Sequence, residues 1–464
     1  MTDILEGTDQ PINERMLTLD RLRHLIGDGS VDTVIMAFTD MQGRLQGKRL
    51  HAAYFLDVAL AAGTEGCNYL LAVDVEMNTV DGYAISSWER GYGDMEFVPD
   101  WSTLRLLTHL PATAMVQCDL MWPDDHSPVV ESPRQILRAQ LARARELGFT
   151  AHAGTELEFI LFDTSYEEAF TLDYRGLRPA NQYNVDYSVL GTTRVEPLVR
   201  DIRNHMYAAG MDVESAKGEC NLGQHEIGFL YNEALVSADN HVVYKNAAKE
   251  IAAHHGKSLT FMAKFDEREG NSCHIHLSLR GLGGELVFWD EKEDARTPLY
   301  DQFIAGLLDT MADFTLLYAP NINSYKRFAP GSFAPTAIGW GLDNRTCAIR
   351  LVGSGQSARL ENRVPGGDVN PYLALAAMIA GGLHGIENEL EPVPESEGNA
   401  YEGDLELVPH TLRAARDAFA SSTVARSALG DAVVEHYTNM ADVELRAFES
   451  TVTDWERRRG FERL

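Results

Sequence analysis

No run of the chain is apolar for long enough to span a bilayer; the longest, residues 372–380, falls far short of the roughly 20 residues a membrane helix needs. Residues 1–15 are polar and acidic, without the basic start and apolar stretch of a secretory leader. Cysteine is sparse: Cys67, Cys118, Cys220, Cys273 and Cys347 are odd in number, scattered, and form no C-x-x-C. That usage excludes a disulfide framework and fits a reducing compartment, so a cytoplasmic protein is expected. Basic residues are in deficit, 40 against 69 acidic ones, a net charge of −29 over 464 residues. Such a charge argues against nucleic acid or an anionic membrane surface as partner. Repeats and low-complexity tracts are absent. What is there is 45% hydrophobic and 23% charged, the balance of a globular chain long enough for two domains.

Residues 1–15 are expected to be disordered. The spacing of Leu19, Leu22, Leu25 and Ile26 predicts a helix over 18–26 that stops at Gly27. Residues 31–38 and 45–50 read as strands around the turn Asp40-Met41-Gln42-Gly43, and 94–99, 104–107 and 114–120 as further short strands. The Pro- and Asp-rich stretch 122–128 is the best boundary, giving a first domain at 16–122 and a second at 123–464. Ser132 as N-cap, Pro133 at the first helical position and Gly148 as stop define the helix that follows. Beyond it, strands at 156–162, 226–229, 273–279 and 347–352 alternate with helices at 196–209, 234–254, 299–316 and 371–386. The expectation is an α+β fold, a small β-rich domain followed by a larger one whose sheet carries the chemistry.

Two nucleotide-site matches fail on context. Gly353-Ser354-Gly355-Gln356-Ser357-Ala358 has the spacing of a dinucleotide fingerprint, but a strand-like segment follows where a helix must present its N-terminus. Gly256-Lys257-Ser258 ends like a phosphate loop, yet Ile251 holds the place of the required earlier glycine.

The chemistry lies in carboxylates on strands. Glu156 and Glu158 are two apart, so on a strand both project from one face while Leu157, Phe159 and Leu161 enter the core. Like charges side by side are costly without a cation. Residues 219–226 place Glu219 and Glu226 at the ends of a glycine-containing segment; His274, His276 and Ser278 share a strand face, as do Arg359, Glu361 and Arg363. Many carboxylates with few imidazoles suit Mg²⁺ or Mn²⁺ rather than Zn²⁺. Hard metal surrounded by Arg327, Arg345, Arg350, Arg359 and Arg363 is the equipment of phosphoryl transfer.

These residues, taken in order, resemble the glutamine synthetase family over essentially the whole chain. The matching segments are 39–44, 156–159, 219–226, 273–278, 323–327, 344–350, 359–363 and 370–373. The resemblance implies an N-terminal β-grasp domain and a catalytic domain with a curved antiparallel sheet wrapped by helices. It also implies a homo-oligomer, usually a dodecamer, with active sites between subunits. By position, Glu158, Glu219 and Glu226 resemble the ligands of a first metal, and Glu156, His274 and Glu361 those of a second. Glu214, His276, Ser278, Arg350 and Arg359 resemble the ATP contacts. Gly270, Arg327 and Arg363 resemble the glutamate pocket, and Arg345, Arg327 and Glu219 the catalytic groups. The implied reaction phosphorylates the side-chain carboxylate of L-glutamate with ATP and lets a neutral amine displace the phosphate.

The chain departs from the family where the nucleophile binds. Ammonium-using members carry Tyr-Glu before an Ala-Pro pair; here Ser332-Phe333 precede Ala334-Pro335. Phenylalanine can neither hold ammonium nor take its proton, but it offers apolar contact to an alkyl chain. The pattern resembles the γ-glutamyl-amine ligases, so the expected nitrogen substrate is a small primary amine. Ser332 suits the hydroxyl of ethanolamine, favoured weakly over polyamines. An ordinary glutamine synthetase with a substituted flap and a non-catalytic relative are the alternatives. Glu269 stands where relatives have asparagine beside Gly270, and residues 81–87 depart from the family's Asp-Gly-Ser-Ser stretch. Tyr401 matches the adenylylated tyrosine of regulated members poorly, so that regulation is not expected.

Overall fold

The computed structural model describes residues 13–464. The expectation of disorder over 1–15 falls mostly outside these residues, and at its end it is corrected. Asn13 Nδ2 donates to the Gly210 carbonyl at 2.6 Å, and Arg15 pairs with Asp212.

Residues up to Met121 build a five-stranded sheet in the spatial order Leu45–His51, Thr33–Thr39, Thr113–Met121, Asp94–Leu106, Thr64–Cys67. Thr33–Thr39 runs parallel to Thr113–Met121 and the other pairs are antiparallel. The two strands expected at 94–99 and 104–107 are one, Asp94–Leu106, whose register shifts between Asp100 and Arg105. An irregularity of this kind bends a strand without ending it, which from sequence reads as a break. The stretch 122–128 is a tight connection that turns back so that Pro128 forms a β-bridge with Met121, the last residue of the preceding strand.

The second sheet has nine strands. Seven follow in the order Trp340–Leu342, Ile349–Val352, Arg359–Asn362, Cys273–Gly281, Phe149–Phe162, Gln224–Phe229, Val213–Gly218. Asn232–Glu233 and Ser258–Thr260 also pair with Phe149–Phe162. All pairs are antiparallel except Trp340–Leu342 with Ile349–Val352. Residues 353–358, the dinucleotide-like match, lead directly into the strand Arg359–Asn362 and not into a helix.

Helices Pro133–Glu146, Glu196–Ala208, Ala234–His254 and Pro371–Glu387 occupy the expected places. Ser132 is the N-cap of the first, but its side chain makes no capping bond there; Gly148 past the end has φ +92°. The helix expected over 299–316 is two, Pro298–Asp309 and Met311–Tyr318, broken at Thr310. Pro371–Glu387 is buried along nearly its whole length and crosses Pro298–Asp309 backbone to backbone: a Cβ on Gly306 would lie 2.2 Å from the Gly381 carbonyl oxygen. No helix of the described residues is long and apolar enough to cross a membrane.

A buried ion cluster ties three helices to the first sheet. Arg134 donates to Asp119 at 2.7 Å, to Asp100 at 2.8 Å, and through two nitrogens to Asp239 at 2.8 and 2.9 Å. Tyr372 donates to the same Asp239 at 2.6 Å. Every carboxylate of the cluster has a donor, the condition under which buried charge is tolerated.

Candidate active site

Strand register assembles the site. Glu158 of Phe149–Phe162 is opposite Glu226, and Glu226 is opposite Lys217 on the next strand. On the other side Glu156 is opposite His274, His276 opposite Glu361, and Glu361 opposite Arg350. Because alternate residues share a face, Glu156 with Glu158 and His274 with His276 project together, as their spacing predicts. The result is a row of charge across six adjacent strands, with one cation at each end.

A cavity of about 520 Å³ opens over this row. Its wall includes Glu156, Glu158, Glu219, Glu226, His274 and Glu361, together with Gly270, Ser332, Phe333, Arg345, Arg350 and Arg363. Ligand atoms of Glu158, Glu219 and Glu226 lie within 4.8 Å of one another, and so do those of Glu156, His276 and Glu361. The second group thus contains His276, expected at the nucleotide, where sequence placed His274. His274 nevertheless lies 3.4 Å from both Glu156 and Glu361, and its Nε2 is buried without a partner among the described residues.

The two groups differ in charge balance. Burial, with the charge of Glu219, pushes Glu158 up to about 8, and burial also raises Glu219 and Glu226. Lys217, bonded to Glu219, and the buried Arg327 near Glu158 offset these three carboxylates in part. In the other group burial is overcome: hydrogen bonds from His274 and His276 hold Glu156 below the usual carboxylate range. His274, Arg363 and Arg350 bring Glu361 to about 2. Burial, reinforced by Arg363, lowers His274 to about 4, leaving a neutral imidazole able to ligate. Oxygen-rich donors with a local excess of negative charge fit a hard divalent cation.

The remaining expected residues fall as follows. Arg327 and Arg363 are buried, and each has an Nε without a partner among the described residues. Gly270 packs on the Arg327 stem, and a Cβ there would sit 2.2 Å from the Ala263 carbonyl oxygen, so no side chain fits. Arg345 is exposed to the cavity with no ion pair among the described residues. Arg350 donates to Glu361 at 2.9 Å. Arg359 Nε donates to His276 Nδ1 at 3.3 Å, and Ser278 donates to the Ala358 carbonyl at 3.1 Å; both border the site without forming the cavity wall. Glu214 is exposed on Val213–Gly218 and also lies outside that wall. Ser332 donates its hydroxyl to the Ala329 carbonyl at 2.6 Å, so toward a substrate it offers an acceptor only.

Asp186, Tyr187, Lys217 and Cys220 also line the cavity and were not picked out from sequence. Lys217 had a readable signal, two positions before Glu219. Asp186 and Tyr187 lie in an irregular segment with no pattern; only folding brings Asp186 to within 3.4 Å of Lys217.

Comparison with known proteins agrees with this geometry. A family model for the glutamine synthetase catalytic domain matches residues 130–460. The chain is 60% identical over 456 residues to a gamma-glutamylethanolamide synthetase of Streptomyces coelicolor, covering 98% of each. It is 38% identical over 442 residues to a glutamate–isopropylamine ligase of a Pseudomonas species, covering 94% of this chain and 96% of that one. Among solved structures, an ADP complex of GmaS superposes with a TM-score of 0.83 at 28% identity, over 95% of this chain and 99% of that one. Motif order, strand register and near full-length similarity converge, and the chain belongs to the glutamine synthetase family.

Proposed function

We propose that the protein joins the γ-carboxylate of L-glutamate to a small primary amine, converting ATP to ADP and phosphate, with ethanolamine the favoured amine. Phe333 carries this reading: its ring, 58% exposed, stands in the cavity wall where ammonium-using relatives place a glutamate. Apolar contact suits a carbon chain, and the missing carboxylate removes the group that would retain ammonium. The choice of ethanolamine rests on the 60% identity to the Streptomyces coelicolor enzyme. An amino-alcohol hydroxyl would donate to Ser332, the only role that side chain has left.

In this reading Glu158, Glu219 and Glu226 hold one divalent cation and Glu156, His274 and Glu361 another. Mg²⁺ or Mn²⁺ there would neutralise charge on phosphoryl oxygens. Glu214, His276, Ser278, Arg350 and Arg359 contact ATP. Gly270, Arg327 and Arg363 seat glutamate, the two arginines offering their unpartnered Nε donors to carboxylate oxygens. Arg345, with Arg327 and Glu219, acts at the reacting centre; its free guanidinium stabilises charge on the transferring phosphoryl group. The γ-carboxylate oxygen takes the phosphoryl group, and the amine nitrogen then attacks the acyl carbon and expels phosphate. The wall containing Ser332 and Phe333 limits water's access to the acyl phosphate. We further propose domains at 16–122 and 123–464, a cytoplasmic location, and a homo-oligomer, a dodecamer by family precedent.

A panel of ammonium, ethanolamine and putrescine tests the reading, scored by phosphate release and product mass. Strong turnover with ethanolamine and weak turnover with ammonium is expected. Preference for ammonium over both amines overturns it in favour of an ordinary glutamine synthetase.

A further inference from the structure

We propose that Glu269 receives the substrate amine as its ammonium and takes one proton from it before attack. The inference rests on the amine-ligase reading above. Glu269 lines the cavity, is half-buried, and makes no ion pair and no side-chain hydrogen bond among the described residues. Other carboxylates of the wall are accounted for. Glu156 and Glu361 pair with histidine and arginine, Asp186 and Glu219 share Lys217, and Glu158 accepts from the Ser272 N–H at 2.7 Å. Glu226 belongs to the carboxylate group that fits a metal ion. A carboxylate that faces the cavity with no partner among the described residues is free to receive a cation.

Its position is held from the backbone. Asn221 Nδ2 donates to the Glu269 carbonyl at 2.7 Å, and the Asn271 N–H donates to Ala263 O at 2.9 Å. Gly270 between them lies against the Arg327 side chain. On the other side of Arg327, its carbonyl lies 3.2 Å from the Ser332 hydroxyl. Glu269 and Phe333 therefore reach the cavity from two sides of one buried arginine. A primary amine arrives protonated and cannot attack; Phe333 has no acceptor for the proton, and Arg345 and Arg363 repel the cation. Glu269 is the remaining acceptor.

The step balances. The ammonium gives one proton to the Glu269 carboxylate, and the nitrogen lone pair forms the C–N bond to the acyl carbon. The C–O bond to phosphate breaks, and the second nitrogen proton leaves with the departing phosphate. Glu269 then releases its proton to solvent.

Glu269→Gln tests this with ethanolamine and with hydroxylamine, which is uncharged at neutral pH and needs no base. The expected result is a loss of about 10²-fold or more in kcat/KM for ethanolamine, the scale of general-base removal. KM for glutamate and hydroxamate formation from hydroxylamine stay near the unmodified values, and Glu269→Asp recovers part of the ethanolamine rate. Equal loss with both nucleophiles overturns the proposal. A raised KM for glutamate also overturns it, assigning Glu269 to the α-ammonium of glutamate instead. If the unmodified protein prefers ammonium, the amine-ligase reading fails by itself, before any variant is made.

Discussion

Phe333 has φ +58°, a left-handed conformation uncommon for a bulky residue, and its carbonyl accepts from Arg363 Nη2 at 3.2 Å. That clamp keeps the ring at the cavity wall and couples the flap to an arginine that also binds Glu361. Replacing the ring while leaving the backbone clamp intact isolates its chemistry. Phe333→Glu is expected to lower kcat/KM for ethanolamine by at least about tenfold, since a desolvated alkyl contact is lost. Ammonium-dependent phosphate release should rise in the same variant. Unchanged ethanolamine kinetics would remove Phe333 from the specificity argument. The identity of residue 333 was legible in the sequence, but its backbone clamp was not, because Arg363 lies thirty positions away.

Between elements, two features decide how the sheets and helices meet. Thr310 breaks an otherwise continuous helical pattern, and its hydroxyl donates to the Gly306 carbonyl at 2.7 Å. The same side chain fills the notch at Gly381, where a Cβ would lie 2.4 Å from Thr310 Oγ1. The break thus follows the close approach of Pro371–Glu387, which no local propensity encodes. Arg134 joins helices Pro133–Glu146 and Ala234–His254 to the first sheet through three aspartates. Removing it leaves Asp100 and Asp119 to share Arg138, and Asp239 with the Tyr372 hydroxyl, an excess of buried negative charge. Arg134→Met should destabilise by about 3–5 kcal/mol, the usual consequence of breaking a buried ion network. A denaturation midpoint equal to that of the unmodified protein would contradict the assignment.

For the whole molecule, stability should follow both metal and proton. Glu158, Glu219 and Glu226 repel when empty, so chelation is expected to lower the melting temperature by a few degrees and added Mg²⁺ or Mn²⁺ to restore it. No change on chelation would sink the metal assignment. Acid should act through His436, buried against Tyr83 with ring centroids 4.7 Å apart and lowered by burial to about 3. The unfolded chain takes up a proton near pH 6.5 that the folded chain refuses. Stability therefore falls as pH drops from about 6.5 toward 3, by about 1.4 kcal/mol per unit for this group. His436→Phe should flatten the melting profile between pH 6 and about 4.5; an unaltered slope would assign the acid sensitivity elsewhere. Local rules made much of the molecule readable. Charge and the lack of a long apolar run bounded its partners, period-two spacing put Glu156 with Glu158 on one face, and cap residues located the helix after residue 132. Those rules act over a few residues. Which strands become neighbours depends on packing across the chain, and that alone brings His274 to Glu156 over 118 residues. It also sets Lys217 and Asp186 in the cavity and leaves Glu269 without a partner among the described residues, because ionic balance is a property of the assembled sheet and not of any segment within it.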